Sequence, residues 1–174
     1  MQKSEARATL QGMASKRASK ESKGKKPRER SGCPCGGAGY ETCCAPLHEG
    51  GVAEDAETLM RSRYSAFALG KLDYLWRTLH SAHDDREMDE AAWRETIERS
   101  VEGRTYTGLK ILETRAPGDD GIARVLFVAK MRDSSGTHEF CELSYFLQEA
   151  DEWRYLTGVI AGGASERTID ALER

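Results

Sequence analysis

Residues 105–160 read TYTGLKILETRAPGDDGIARVLFVAKMRDSSGTHEFCELSYFLQEADEWRYLTGVI, and this run decides the fold class. Four segments rich in β-branched and aromatic residues, Thr105 to Arg115, Ile122 to Arg132, Thr137 to Glu149 and Trp153 to Ile160, are separated by PGDDG, DSSG and EADE. Such short polar turns join neighbouring strands as hairpins, whereas parallel strands need long crossovers. The expectation is an antiparallel meander. Strand alternation puts His138, Phe140, Glu142, Ser144 and Phe146 on one face of the third strand, and Glu139, Cys141, Leu143, Tyr145 and Leu147 on the other.

Upstream, the pattern changes from period two to helical. A helix begins at about Asp55, with acidic residues in its first turn, shows a buried stripe at Met60, Tyr64 and Phe67, and stops at Gly70. Leu72, Leu75, Trp76 and Leu79 give a second helical period, and Glu90 to Val101, with Trp93 and Ile97, gives a third. Helices first and sheet afterwards is an α+β arrangement. At the far end, SERTIDALER suggests a short C-terminal helical turn.

Further upstream lies GCPCGGAGYETCCAPLHEGG, in which Cys33, Cys35, Cys43 and Cys44 follow a C-x-C-x7-C-C spacing. Four thiolates can close a tetrahedral zinc site with no open position for water, which makes such a site structural, not catalytic. The ion would substitute for a core in a segment too small and too rich in glycine to fold alone. The fourth ligand is Cys44 in this reading, with His48 as the alternative. Redox thiols, free cysteines and iron–sulfur ligation are the competing readings; no C-x-x-C near a βαβ pattern supports the first, and the compact knuckle favours zinc over a cluster. Cys141 reads as a small buried hydrophobe.

The chain of 174 residues carries 26 basic and 29 acidic side chains, unevenly placed. Residues 1–32 hold ten Lys/Arg against three Asp/Glu and no aromatic, leaving a net −10 on the rest. A segment of that composition cannot bury enough surface to offset its ordering entropy, so 1–31 reads as a disordered basic tail. Its charge could attract RNA, the ribosome or an anionic surface, but it lacks interleaved aromatics for base stacking, which makes a nucleic-acid role the weaker reading. The division expected is 1–31 tail, 32–51 knuckle, 52–162 α+β body and 163–174 C-terminal extension. No apolar run reaches the roughly 18 residues of a membrane span and no secretory h-region is visible, so the expected location is cytoplasmic.

CPCGGAGYETCC resembles the SEC-C motif, a zinc knuckle also found at the C-terminus of the translocation ATPase SecA. Together with APLHEGG, AETLMRSRYSAFALGKLDYL and WRTLH, and more faintly TYTGLKIL, CELSYF and WRYLTG, it is similar to the YchJ-like family of small bacterial proteins over about Cys33 to Gly158. The resemblance implies a SEC-C knuckle joined to an NTF2-like cone, a curved antiparallel sheet packed against helices around a central cavity. It places zinc on Cys33, Cys35, Cys43 and Cys44, and the family's characteristic helix on Met60, Arg61, Ser62, Arg63 and Tyr64. The SecA knuckle docks to a chaperone and to ribosomes, which implies a protein partner in the ribosome or export machinery and an interaction module more than an enzyme. The chain departs from its relatives at Gly37, where Ser is common, and at Cys141, Tyr145 and Thr157, where His, Arg and Asp are usual; chemistry needing that histidine is not available here.

No G-x-S-x-G elbow, P-loop or dinucleotide fingerprint is present. HEFCE at 138–142 mimics a zincin motif only superficially, because a strand cannot converge ligands at i and i+4. No catalytic residue is assigned. Candidate cavity groups are Arg61, Arg63, Tyr64, His80 and Glu142. Glu142, among aromatics, needs a partner if buried, and Arg61 or Arg63, which flank the helical stripe, would supply it. For these arginines a structural ion pair is the plainer reading, as a helix C-terminal interaction is for His80; Tyr64 and Trp153 read as core aromatics. The principal functional reading is a zinc-binding, non-enzymatic adaptor; the alternative is a small-molecule-binding protein or enzyme using the cavity, with Glu142, Arg61, Arg63 or His80 as polar groups.

Overall fold

A computed structural model of the chain describes residues 32–161 and 167–174. The basic segment 1–31 and residues 162–166 of the stretch that joins the body to the C-terminal extension lie outside the described residues. Strands β1 (Thr105–Arg115), β2 (Ala123–Asp133), β3 (Gly136–Glu149) and β4 (Glu152–Ala161) form one antiparallel sheet in the order β1-β2-β3-β4, the meander that the turn chemistry requires. Helices α1 (Ala45–His48), α2 (Ala56–Leu69), α3 (Leu72–Arg77) and α4 (Glu90–Val101) precede the sheet, and α5 (Ile169–Leu172) follows it. A 3₁₀ turn over Asp84–Glu87, absent from the sequence reading, links α3 to α4.

The sheet is curved at defined places. Register shifts fall between Tyr106 and Gly108 and between Ile111 and Glu113 in β1, and at Leu156 of β4, opposite Tyr145 and Phe146 of β3, and each extra residue bends its strand. The first bulge is tied down: the Gly108 N–H donates to the Tyr64 hydroxyl of α2 at 3.0 Å.

The concave face, with Val125, Phe127, Ala129, Phe140 and Phe146, packs on the helices, while Leu126, Val128, Cys141 and Leu143 point to the other face. That second face is covered at its centre by Ile169 and Leu172 of α5. The C-terminal turn is therefore a lid on the outer core. It is held by the Ile169 N–H donating to Glu113 at 2.9 Å, and by Arg115 and Arg124 pairing with Asp170 and Glu173.

Helix α2 starts at the Asp55 N-cap, whose carboxylate accepts the Thr58 N–H at 2.7 Å, and ends at Gly70, which takes the left-handed conformation of a helix C-cap. Its middle is buried nearly all round, Ser62, Arg63 and Ser65 along with Leu59, Met60, Tyr64 and Ala66. Two surfaces must cover it: the body on one side and the cysteine segment on the other. Helix α4 is capped by Asp89 and inserts Trp93, which packs against Trp76 with ring centroids 5.0 Å apart and planes tilted by 51°.

The β3–β4 turn carries strain. Ala150 and Asp151 sit at φ 52° and 63°, the pair of left-handed residues that a two-residue hairpin turn demands and that Asn-Gly supplies at least cost. Left-handed backbone costs an ordinary residue about 1 kcal/mol or more. Replacing the pair by Ala150→Asn and Asp151→Gly is expected to stabilise the fold by about 1 kcal/mol, a rise in Tm of about 2–4 °C in a thermal melt; an unchanged or lower Tm would show the turn to be unstrained.

Candidate metal centre and cavity

The cysteine segment is a closed loop before any ion is considered. The Cys33 N–H bonds to the Gly37 carbonyl and the Gly36 N–H to the Cys33 carbonyl, while the N–H groups of Cys43, Cys44 and Ala45 all converge on the Tyr40 carbonyl. Pro46 then opens α1. These turns bring Cys33, Cys35, Cys43 and Cys44 together, with all four sulfurs within 4.8 Å of one another and neighbouring pairs at 3.4–3.7 Å. A tetrahedral ion with metal–sulfur bonds of about 2.3 Å spaces its ligands about 3.8 Å apart, close to the four neighbouring separations, so the cluster suits such an ion. Disulfide bonding needs sulfurs about 2.05 Å apart, and all four thiols are free. A Cβ at Gly37 would lie 2.7 Å from the Cys43 sulfur, so a side chain there requires the Cys43 thiol to shift.

The thiols do not ionise alike. A hydrogen bond from Cys44 brings Cys35 down to about 4, while burial pushes Cys43 up to about 11 and the bond that Cys44 donates to Cys35 pushes Cys44 up. An ion gathering four thiolates must therefore displace protons.

His48, the alternative ligand, is committed elsewhere. Its Nδ1 pairs with the Tyr40 hydroxyl and its Nε2 with the Ser62 carbonyl of α2, both at 2.9 Å, and burial lowers its pKa. It is a bolt between the cysteine segment and the body. Arg61 has the same role: it pairs with Glu57 at 2.7 Å and donates to the Cys35 carbonyl at 3.3 Å, away from Glu142. The Cys33 sulfur lies 3.4 Å from the Ser65 hydroxyl, and Arg77 donates to the Leu47 carbonyl at 2.9 Å. The segment is packed onto α2, not suspended from it.

On the opposite side of α2 the curved sheet leaves a cavity of about 430 Å³. Met60, Tyr64, Phe67, Trp93, Phe127 and Phe140 are among its walls, and Arg63, His83, Asp85, Glu142 and Tyr155 supply its polar groups, with Arg104 also on its lining. Arg63, 5% exposed, donates to the Leu75 carbonyl and to the Thr78 hydroxyl, and its guanidinium lies 4.6 Å from the centre of the Tyr155 ring. Burial lowers its pKa, yet a guanidinium keeps its charge in proteins. No carboxylate lies within ion-pair distance of it among the described residues.

Glu142 is partnered by Ser144 at 2.6 Å and by the Tyr155 hydroxyl at 3.1 Å, both donating to its Oε1. The expected arginine partner is corrected by this geometry: Arg63 stacks on the phenol that binds Glu142 and does not touch the carboxylate. Burial, with Glu142 beside it, pushes the Tyr155 phenol up, so it remains a donor.

His80 is not on the cavity wall. Its Nδ1 accepts the Ala82 N–H at 3.0 Å. The imidazole that does line the cavity is His83, whose Nδ1 accepts the Asp85 N–H at 3.0 Å and whose ring lies 5.3 Å from that of Tyr155; burial lowers its pKa. Asp85 in turn accepts the Trp93 indole N–H at 2.8 Å. His83 and Asp85 were invisible as site residues because they occupy a polar stretch without periodicity. The only local signal was that stretch itself, SAHDDRE, between two helices.

A family model described as the middle NTF2-like domain of YchJ matches residues 55–158. A UPF0225 protein of Bordetella pertussis is 39% identical over 140 residues, covering 78% of this chain and 98% of the relative. One from Xanthomonas campestris is 42% identical over 129 residues, covering 71% and 91%. Among solved structures, a SEC-C motif containing protein from Rhodopseudomonas palustris matches with TM-score 0.61 and 29% identity over 74% of this chain and 97% of its own. Another from Psychrobacter arcticus matches with TM-score 0.63 and 27% identity over 79% and 86%.

Gly158 faces Ser144 across the β3–β4 ladder, and a Cβ there would run into both the Glu142 carboxylate and the Tyr155 hydroxyl. Gly158→Ala is expected to cost about 1–3 kcal/mol by overpacking, read as a lowered Tm. Gly118→Ala, where the nearest atom is 3.7 Å away, should leave Tm unchanged. Equal melts for the two variants would remove the constraint argued for Gly158.

Proposed function

Since the chain belongs to the YchJ-like family of SEC-C motif proteins, we propose that it is a zinc-stabilised binding protein whose NTF2-like cavity receives a small organic molecule. The division into a knuckle at 32–51 and a body at 52–162, and a cytoplasmic location, belong to this proposal. Zinc is the ion of choice because four cysteine thiolates in a compact tetrahedron suit a soft-ligand, redox-inert cation. Its place is structural: four protein ligands leave no open position for water or substrate.

The observation that carries the binding reading is the charged Arg63 buried at the wall of a largely aromatic cavity, without a carboxylate in ion-pair contact with it among the described residues. Buried charge is costly, and a core built only for stability would exclude it. A cavity of about 430 Å³ with a few convergent polar groups has the size and make-up of a ligand site. Binding without chemistry is the form favoured here, because Tyr155 remains protonated and the Glu142 Oε1 is occupied by two donors.

The adaptor reading stands second, supported by the outer loop of the knuckle. Gly36, Ala38, Glu41 and Thr42 are exposed on a backbone held rigid by its own hydrogen bonds. Such a surface could meet a protein of the ribosome or export machinery, with the basic residues of 1–31 adding attraction for nucleic acid. Glu41→Lys with Thr42→Lys leaves the metal ligands intact. Under this reading it removes a partner that wild type captures; the same captured set from both would end it.

The zinc proposal is tested by elemental analysis and native mass spectrometry of protein purified without added metal. One zinc per chain is expected, absent from a Cys33→Ser, Cys35→Ser variant and removable by chelator with a Tm loss of several degrees. Protein without metal, or with iron, would overturn it.

A further inference from the structure

We propose that the cavity selects an uncharged, flat aromatic molecule of about a dozen non-hydrogen atoms that presents a hydrogen-bond acceptor to Arg63 and a hydroxyl or N–H donor to Glu142. The inference rests on the reading of the cavity as a ligand site and adds to it the chemistry of the ligand.

Size follows from volume. At about 30 Å³ per water in the liquid, a cavity of about 430 Å³ holds on the order of a dozen non-hydrogen atoms. Shape follows from the walls: seven of the thirteen aromatic residues of the chain border this one space. Phe127 and Phe140 meet edge to face at 6.2 Å, as do Tyr64 and Tyr106 at 5.5 Å, which leaves flat faces and edges for a ring to stack against. Met60 and Met131 supply adaptable contacts for its rim.

Charge is decided by the polar groups taken together. Arg63 is a buried cation and Arg104 an exposed one on the lining; Glu142 and Asp85 are the carboxylates of the same cavity, and burial lowers the His83 pKa, which favours its neutral form. Two cations and two carboxylates line the one space, so a charge of either sign on the ligand loses to one pair what it gains from the other and must also be desolvated, whereas a neutral ligand bears neither cost.

What the groups offer is hydrogen-bonding capacity. Only Nη1 of Arg63 is occupied by protein partners among the described residues, and its other N–H groups are not sealed away as buried, unpartnered atoms. Oε1 of Glu142 takes Ser144 and Tyr155, and its second oxygen has no partner among the described residues. Tyr155 joins the two, with Arg63 against its ring and Glu142 at its hydroxyl. A neutral molecule with one acceptor and one donor satisfies both ends, and each end left empty by a poorer ligand costs that ligand affinity.

The experiment uses the full metal-loaded chain and four probes of nearly equal size: 2-quinolinone, which is uncharged with N–H and C=O; naphthalene, which has neither; 2-naphthoate, an anion; and 2-naphthylmethylammonium, a cation. Affinities are read from protein chemical shifts and tryptophan quenching, in wild type and in two cavity-filling variants, Ala129→Leu and Met131→Trp. The expected result is 2-quinolinone binding at least tenfold tighter than each other probe, with that binding weakened tenfold or more in whichever variants keep the wild-type fold. Preference for either charged probe, or naphthalene matching 2-quinolinone, would overturn the ligand chemistry while leaving the cavity as a ligand site. No binding of any probe, or binding indifferent to filling, would overturn both readings.

Discussion

The structure depends on a helix that has almost no solvent face along its middle. Ser62, Arg63 and Ser65 of α2 are buried beside its apolar residues, so the sheet and α3 can cover only part of it. The remainder falls to a cysteine segment that, from its length and glycine content, has no core of its own. Hydrogen bonds make the joint: His48 to the Ser62 carbonyl, Arg61 to the Cys35 carbonyl, and the Cys33 sulfur against Ser65. Small side chains at Ser62 and Ser65 let the segment approach closely. The Ser62 hydroxyl still finds the Leu59 carbonyl and the Tyr74 hydroxyl, so little polar capacity is wasted in the contact.

The same constraint explains why the cavity exists. With one side of α2 given to the cysteine segment, the other presents Met60, Arg63, Tyr64 and Phe67 to a sheet that bends away from it. Bulges in β1 supply the bend, and the Tyr64 hydroxyl fixes the first of them through Gly108. Arg63 is then held by the end of α3, through Leu75 and Thr78, and by Tyr155 of β4. A backbone bridge extends that last contact: the Tyr155 N–H donates to the Thr78 carbonyl and the His80 N–H to the Tyr155 carbonyl, each at 2.9 Å. The edge of the sheet is thus sewn to the helices at the point where the buried charge sits.

Where a residue's place follows from periodicity, the sequence was enough. The four strands, their hairpin order and the two faces of β3 all follow from alternation and turn composition, and the third helix matched its expected span. The cysteine cluster was legible because its spacing is local. What could not be read was whatever depends on two distant segments meeting. Nothing in SERTIDALER tells that Ile169 is fully buried on the outer sheet face. Glu142 was recognised as needing a partner, but the partners are Ser144, two residues along its own strand, and Tyr155 on the next; helical-wheel geometry pointed instead to Arg61, which turns to the cysteine segment, and Arg63, which shares the cavity without touching the carboxylate. His83 and Asp85 lie in a connection without repeat, where sequence offers composition but no direction.

The two centres share α2, and how they are linked follows from what fixes that helix. Its register is set by the Asp55 cap at one end, the Gly70 cap at the other and the Tyr64 bond to β1, none of which involves the cysteine segment. Energetic coupling between two sites requires an element with two arrangements that both sites bias. A helix capped at both ends and pinned to a sheet bulge has one arrangement. Loss of a metal bound there would therefore uncover Ser62 and Ser65 and lower the stability of the fold, since binding energy at such a knuckle is folding energy, without drawing Arg63 off Thr78 and Tyr155. On this geometry a metal at the four cysteines would act on how much of the protein is folded, and the cavity would keep its shape in every molecule that is.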